Sequence, residues 1–154
     1  MMSLAVTGAE LFGVLAVFSA SLFCGAACYI SLVEHPARME CGAELAATEF
    51  TPSYRRAARM QLSLALCSAL SAVTAAALGS SMLWLLGGAL IVAVIPFTYL
   101  MIMPLNDQLQ SPSLKKQSSS TYMLLAHWGR LHAVRSAMSI LACLVYYAAL
   151  ILES

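Results

Sequence analysis

Charge is what this sequence has least of. Asp, Glu, Lys and Arg make up 10% of its 154 residues, while 61% are hydrophobic. A soluble domain covers itself with roughly 25–35% charged surface residues. Without them it would expose more apolar area than a soluble monomer tolerates. Mean hydropathy is +0.83, and lipid is the solvent that accommodates it. An excess of one sign is also missing. The net charge is +1, and no basic patch interleaves with aromatics, so a nucleic-acid partner is not expected. The five cysteines, Cys24, Cys28, Cys41, Cys67 and Cys143, form no CxxC and are odd in number, which excludes a disulfide framework. Four of them fall in apolar runs, where a free Cys packs as a small hydrophobe. HxxH and HExxH are absent, so no local metal motif stands out. No Lys or Arg precedes the first apolar run, Leu11 to Val33. That run is longer than a signal-peptide core and reads as a permanent span.

What is present is four apolar segments of membrane-spanning length: about Ala9 to Val33, Met60 to Leu78, Met82 to Met103 and Leu131 to Leu152. A span needs about 20 mainly apolar residues. Length leaves room for one domain, 1–154, and no internal repeat is visible. The expected fold is all-α, a four-transmembrane-helix bundle with a short cytoplasmic helix in the first connection. The second connection is only GSS, so spans two and three form a tight hairpin. The two long connections then share one membrane face. Arg38, Arg55, Arg56, Arg59, Lys115, Lys116, Arg130 and Arg135 all lie in or beside those connections. The excess of Lys and Arg on cytoplasmic loops predicts N-out and C-out. The expected location is the bacterial inner membrane.

Local signals mark helix ends. Pro36 should end the first span or open a short helix. Thr51-Pro52 reads as an N-cap, so that the second helix starts near Pro52, and SSST at 118–121 reads as a cap for the fourth. Pro96 and Pro104 predict a kinked third helix. Polar residues form stripes at helical spacing: Thr7, Glu10, Ser21, Cys24, Cys28, Ser31 and His35 on the first span. The second span offers Ser63, Cys67, Ser71 and Thr74. The fourth offers Trp128, His132, Arg135, Ser139, Cys143 and Tyr146. In the mid-membrane these read as interhelical packing, since lipid gives helices no hydrophobic reason to associate.

At the cytoplasmic end the stripes carry ionisable groups, which are costly near lipid unless paired or functional. Topology brings three clusters there: Glu34-His35-Pro36, Asn106-Asp107, and Trp128, His132 and Arg135 on one helical face. His35 and His132 suit acid/base work. Glu34 can orient a His or take a proton. Arg135 can hold an oxyanion, Asn106 offers a donor and an acceptor, and Trp128 offers a flat wall to a ring. Three readings stay open. One is an organic-substrate site. Another is a metal or haem bound by His35 and His132. The last is an ion-pair network joining Glu34 to Arg135 or to an arginine of 55–59.

The stretches SLVEHPA, PLND and WGRLHAVRS, in this order after a Gly/Ala-rich first span, resemble the anthrone-oxygenase-like family. These are small four-span membrane proteins, many known only as a domain of unknown function. The resemblance covers nearly the whole chain. It implies oxidation of anthrones to anthraquinones, and it favours His35, Asn106, Trp128, His132 and Arg135 as the working set. The missing CxxC argues against the vitamin K epoxide reductase type of four-helix enzyme. The expected function is an oxidoreductase or oxygenase acting on a lipophilic, aromatic, anthrone-like small molecule that enters from the inner leaflet. The alternative is a non-catalytic binding, transport or assembly protein whose polar cluster is structural. The cofactor is left open between none, a metal and haem. Membrane lipid is an expected partner, and a homo-oligomer is compatible with the sequence.

Overall fold

The structure, a computed structural model, describes residues 7–153. They form four long helices and, among the described residues, no strand. The helices are α1 (Gly8–Glu40), α2 (Ala43–Ala77), α3 (Leu83–Leu109) and α4 (Ser119–Glu153), each long and apolar enough to cross a membrane. This is an integral membrane four-helix bundle. The helices run up and down in chain order, and each packs on its two neighbours in a square, α1 on α2, α2 on α3, α3 on α4 and α4 on α1.

Small residues let the backbones approach. Ala16, Ala20, Ala27, Ala65, Ala72 and Ala75 are all fully buried, as expected where packing rather than water exclusion holds helices together. Aromatic rings fill notches left by glycine. A Cβ at Gly87 would lie 2.6 Å from the Tyr146 ring, so Gly87 is required for that ring to cross from α4 to α3. Leu11, Phe18, Leu22, Leu70 and Leu144 point outward, towards lipid.

The helix ends follow their local chemistry. Thr7 and Glu10 make a capping box at the start of α1, so Glu10 is a helix cap. The Ser118 hydroxyl accepts from the Thr121 N–H at 3.2 Å, and α4 starts at Ser119, as the SSST signal predicts. The GSS turn is tied down by Glu153, whose carboxylate accepts from the Trp84 indole at 2.9 Å.

The second helix differs from expectation. It begins at Ala43, directly after a turn with Gly42 at φ 85°, and Pro52 lies inside it. Packing explains this. Ala46, Ala47 and Phe50, upstream of Pro52, are fully buried against α3 and α4. Their burial offsets the rung that proline removes.

Prolines shape the other two helices in one shared way. The π segment Ile30–Glu34 precedes His35-Pro36, and the π segment Thr98–Ile102 precedes Met103-Pro104. A proline has no N–H, and its ring crowds the carbonyl four residues back. A widened turn relieves that crowding. The short helix expected in the first connection is His35–Glu40, joined to the first span through this π turn without a break. Each extra residue rotates the downstream face by about 100°. His35 and Asn106 both lie just past such a turn.

Candidate functional site

The two π turns and α4 converge at the end of the bundle that holds the long connections. Trp128 is the centre of the cluster. Its ring stacks on His132, centroids 4.7 Å apart, and touches His35 and Phe50, each at 5.2 Å. Its indole N–H donates to Asn106 Oδ1 at 2.8 Å. Asn106 is fully buried, and His35, Trp128 and His132 are buried with it. Gly129 makes the His35 contact possible, because a Cβ there would overlap the His35 ring.

His132 is held by hydroxyls. Its Nδ1 lies 2.9 Å from Ser31 Oγ, and Ser31 Oγ lies 2.8 Å from Ser136 Oγ. Ser136 donates its proton to the Ala27 carbonyl at 3.0 Å. Ser136 Oγ also lies 3.2 Å from the His132 carbonyl. When its proton goes to either carbonyl, Ser31 donates to Ser136 and accepts from His132 Nδ1–H. In that arrangement Nε2 carries the lone pair.

Beside this cluster lies a cavity of about 260 Å³. Its walls include the rings of Phe23, Phe50, Tyr54, Tyr99 and Trp128, with Arg38, Gln61, His132 and Arg135 among the polar groups. It opens between α2 and α3, where Leu62 and Tyr99 line it and are themselves exposed. That opening faces the lipid side of the bundle.

Arg135 is half-buried in this wall, with its guanidinium carbon 5.1 Å from the centre of the Phe23 ring. Its Nε has no hydrogen-bond partner, and among the described residues no carboxylate pairs with it. The expected partners are engaged elsewhere. Glu34 pairs with Arg38 and accepts from Ser53 Oγ at 2.6 Å. Arg38 also reaches Glu49 at 2.9 Å. Asp107 is exposed. The ion-pair network expected around Glu34 therefore exists, but its cation is Arg38 rather than Arg135 or an arginine of 55–59. Burial of Arg38 beside two carboxylates, with Phe50 under its guanidinium, explains the choice.

The expected site residues thus separate into layers. Trp128, His132 and Arg135 line the cavity. His35 and Asn106 stand behind Trp128, and Glu34 belongs to the Arg38 network. His35 and His132 gain no third metal donor: among the described residues no group of three His, Cys, Asp or Glu assembles. His127 is exposed.

Sequence reasoning missed Gln61, Phe23, Phe50, Tyr54 and the Ser31–Ser136 pair. Gln61 had a signal, an amide inside the apolar run after Met60. The stripe read on the second span was right only in part: Ser71 is buried and Cys67 accepts from Ser19 of α1 at 3.4 Å. Ser63 and Cys67 are exposed, and the inward face is Gln61, Ala65, Ser68 and Ala72. Ser63 and Thr74 return their hydroxyls to the Arg59 and Leu70 carbonyls of their own helix, which lets them sit near lipid without a partner helix.

Residues 50–145, well over half of the chain, match the model of a family described as anthrone oxygenase. The chain belongs to that family. The matched stretch contains Gln61, Asn106, Trp128, His132 and Arg135, and it begins after Glu34 and His35. No curated protein and no solved structure matches the chain.

Proposed function

We propose that this member of the anthrone oxygenase family is a membrane-embedded oxygenase that turns the reactive CH2 of a lipophilic, anthrone-like aromatic into a carbonyl. The observation that carries this reading is the cavity wall. It sets an arginine without a carboxylate partner and a histidine with a free ring nitrogen among aromatic rings.

The chemistry follows from those groups. His132 Nε2 takes a proton from the activated carbon. The negative charge moves through the ring system to the substrate oxygen, where Arg135 holds it. The carbanion carbon reduces O₂ to a carbon-bound peroxide. Loss of the second C–H proton breaks the O–O bond and leaves a carbonyl. One oxygen atom of O₂ stays in the product. The other leaves as water with the two hydrogens. Trp128, Phe50 and Phe23 supply flat walls for the rings. The substrate enters from the bilayer between Leu62 and Tyr99. The Lys and Arg of the long connections support a cytoplasmic position for this end, and the proposed location is the bacterial inner membrane.

The test is turnover of anthrone by the purified protein in nanodiscs. Anthraquinone should form faster than by spontaneous oxidation, with one O₂ consumed per product and label from ¹⁸O₂ in the new carbonyl. Binding of anthrone without acceleration would make the cavity a carrier site and overturn the oxygenase reading.

A further inference from the structure

We infer that Gln61 is the specificity-determining residue of this cavity, reading a second, neutral oxygen function on the ligand. This rests on the reading of the cavity as the substrate site. Gln61 is fully buried, and neither its Nε2 nor its Oε1 has a hydrogen-bond partner in the protein. It lines the cavity, and Ala65 on the next turn lines it too. Its chain neighbours Met60 and Leu62 are exposed, so the amide belongs to the inward face of α2.

The other buried polar groups of the wall are already engaged. The Tyr54 hydroxyl donates to Met103 Sδ at 3.6 Å, and Thr98 returns its hydroxyl to Val94 at 2.7 Å. Ser53 donates to Glu34, and Trp128 to Asn106. Arg38 also lines the wall, but it is held by Glu34 and Glu49. Arg135 and Gln61 are the wall residues left with unpaired buried polar atoms and no carboxylate beside them among the described residues. They are chemically unlike. Arg135 only donates and favours negative charge. Gln61 both donates and accepts, and it carries no charge. An amide buried with neither end paired is a group that native cores avoid unless it has a task. The pair therefore fits a flat apolar ligand with two oxygens. One becomes anionic, at Arg135. The other is a hydroxyl or carbonyl that stays neutral, at Gln61. A site built to hydrogen-bond such a group discriminates against ligands that lack it, because the amide is then left unpaired.

The experiment compares binding under argon, where no turnover occurs, of anthrone and of the monohydroxyanthrones to the nanodisc protein. Wild type should bind at least one monohydroxyanthrone about tenfold more tightly than anthrone, the worth of one net hydrogen bond. In Gln61→Leu the ratio of the two affinities should fall to about one. The ligand-free melting temperature of this variant should be unchanged or raised, because no internal partner is lost. A preference that survives in Gln61→Leu overturns the inference, and so does equal binding of every probe by wild type. A lowered melting temperature, or failure of both Gln61→Leu and Gln61→Met to fold, makes the amide structural and overturns it as well. If wild type binds no probe, the reading of the cavity as a substrate site falls, and the inference falls with it.

Discussion

The indole N–H of Trp128 donates to Asn106 Oδ1 at 2.8 Å, and this bond fixes the ring on which the whole cluster rests. The same ring stacks on His132 and meets His35 and Phe50. Asn106 comes from α3 just past its π turn and Trp128 from α4, so one buried hydrogen bond ties the ends of two helices. It also sets the plane against which a substrate ring would lie.

Asn106→Leu should destabilise the protein by about 1–3 kcal/mol, because it strands a buried donor. Asn106→Asp keeps an acceptor and should restore turnover more than stability, since it introduces a buried charge. Thermal melting and anthrone turnover on the two variants separate these effects. Unchanged melting in Asn106→Leu would mean that the indole finds another acceptor.

Gly129 has no room for a side chain. A Cβ there overlaps the His35 ring, and Gly129→Ala should cost about 1–3 kcal/mol through overpacking while displacing His35 from Trp128. Gly25→Ala is the control. Nothing lies within 4 Å of a Cβ at that position, so it should be neutral or stabilising by up to about 1 kcal/mol. Equal melting temperatures for the two variants would contradict the packing seen at Gly129.

The two arginines of the cavity wall should respond in opposite ways. Arg38 neutralises Glu34 and Glu49, so Arg38→Gln strands carboxylates and should lower stability by about 1–3 kcal/mol. Arg135 has no carboxylate to strand, so Arg135→Gln should melt close to wild type. Its turnover should fall by about 10²–10³-fold if it holds the anionic intermediate. Melting and turnover on both variants decide the matter. A stable, fully active Arg135→Gln would leave the proposed mechanism without its anion holder.

Orientation has a native reporter. Cys41 is exposed in the turn between α1 and α2, on the side of all eight basic residues. A membrane-impermeant maleimide should miss it in spheroplasts and reach it after permeabilisation. Ser80→Cys, in the opposite turn, should label without permeabilisation. The reverse pattern would place the cavity at the outer face.

The four spans, the hairpin and the convergence of three clusters were legible because each rests on a local count: apolar length, loop length, and i, i+4, i+7 spacing. The cap at Ser118 was legible for the same reason. The start of α2 was not, since Pro52 is a strong local stop that burial of Phe50 overrides. The partner of Glu34 was legible but went unread. Arg38 stands four residues after Glu34, the helical spacing for an ion pair, and this local signal was passed over in favour of arginines on other helices. Gln61 was passed over because the second span was read by its Ser, Cys and Thr, of which Ser63 and Thr74 satisfy their hydroxyls within their own helix.

The relay behind His132 gives the sharpest test of its role as base. Ser31 Oγ bridges His132 Nδ1 and Ser136 Oγ, and the base role requires the arrangement in which Ser136 donates to a backbone carbonyl, Ser31 accepts from Nδ1–H and Nε2 is unprotonated. His132→Phe removes the base and should lower turnover by about 10²–10⁴-fold. Ser31→Ala removes only the group that fixes the tautomer, so the ring populates both tautomers and the loss should be smaller. Ser31→Thr keeps the hydroxyl and should recover most of the rate. In Ser31→Ala the anthrone affinity should stay at the wild-type value while kcat falls, because the hydroxyl touches the imidazole and not the cavity. A loss confined to KM would mean that Ser31 shapes the pocket instead. Undiminished turnover in His132→Phe would remove His132 as the base.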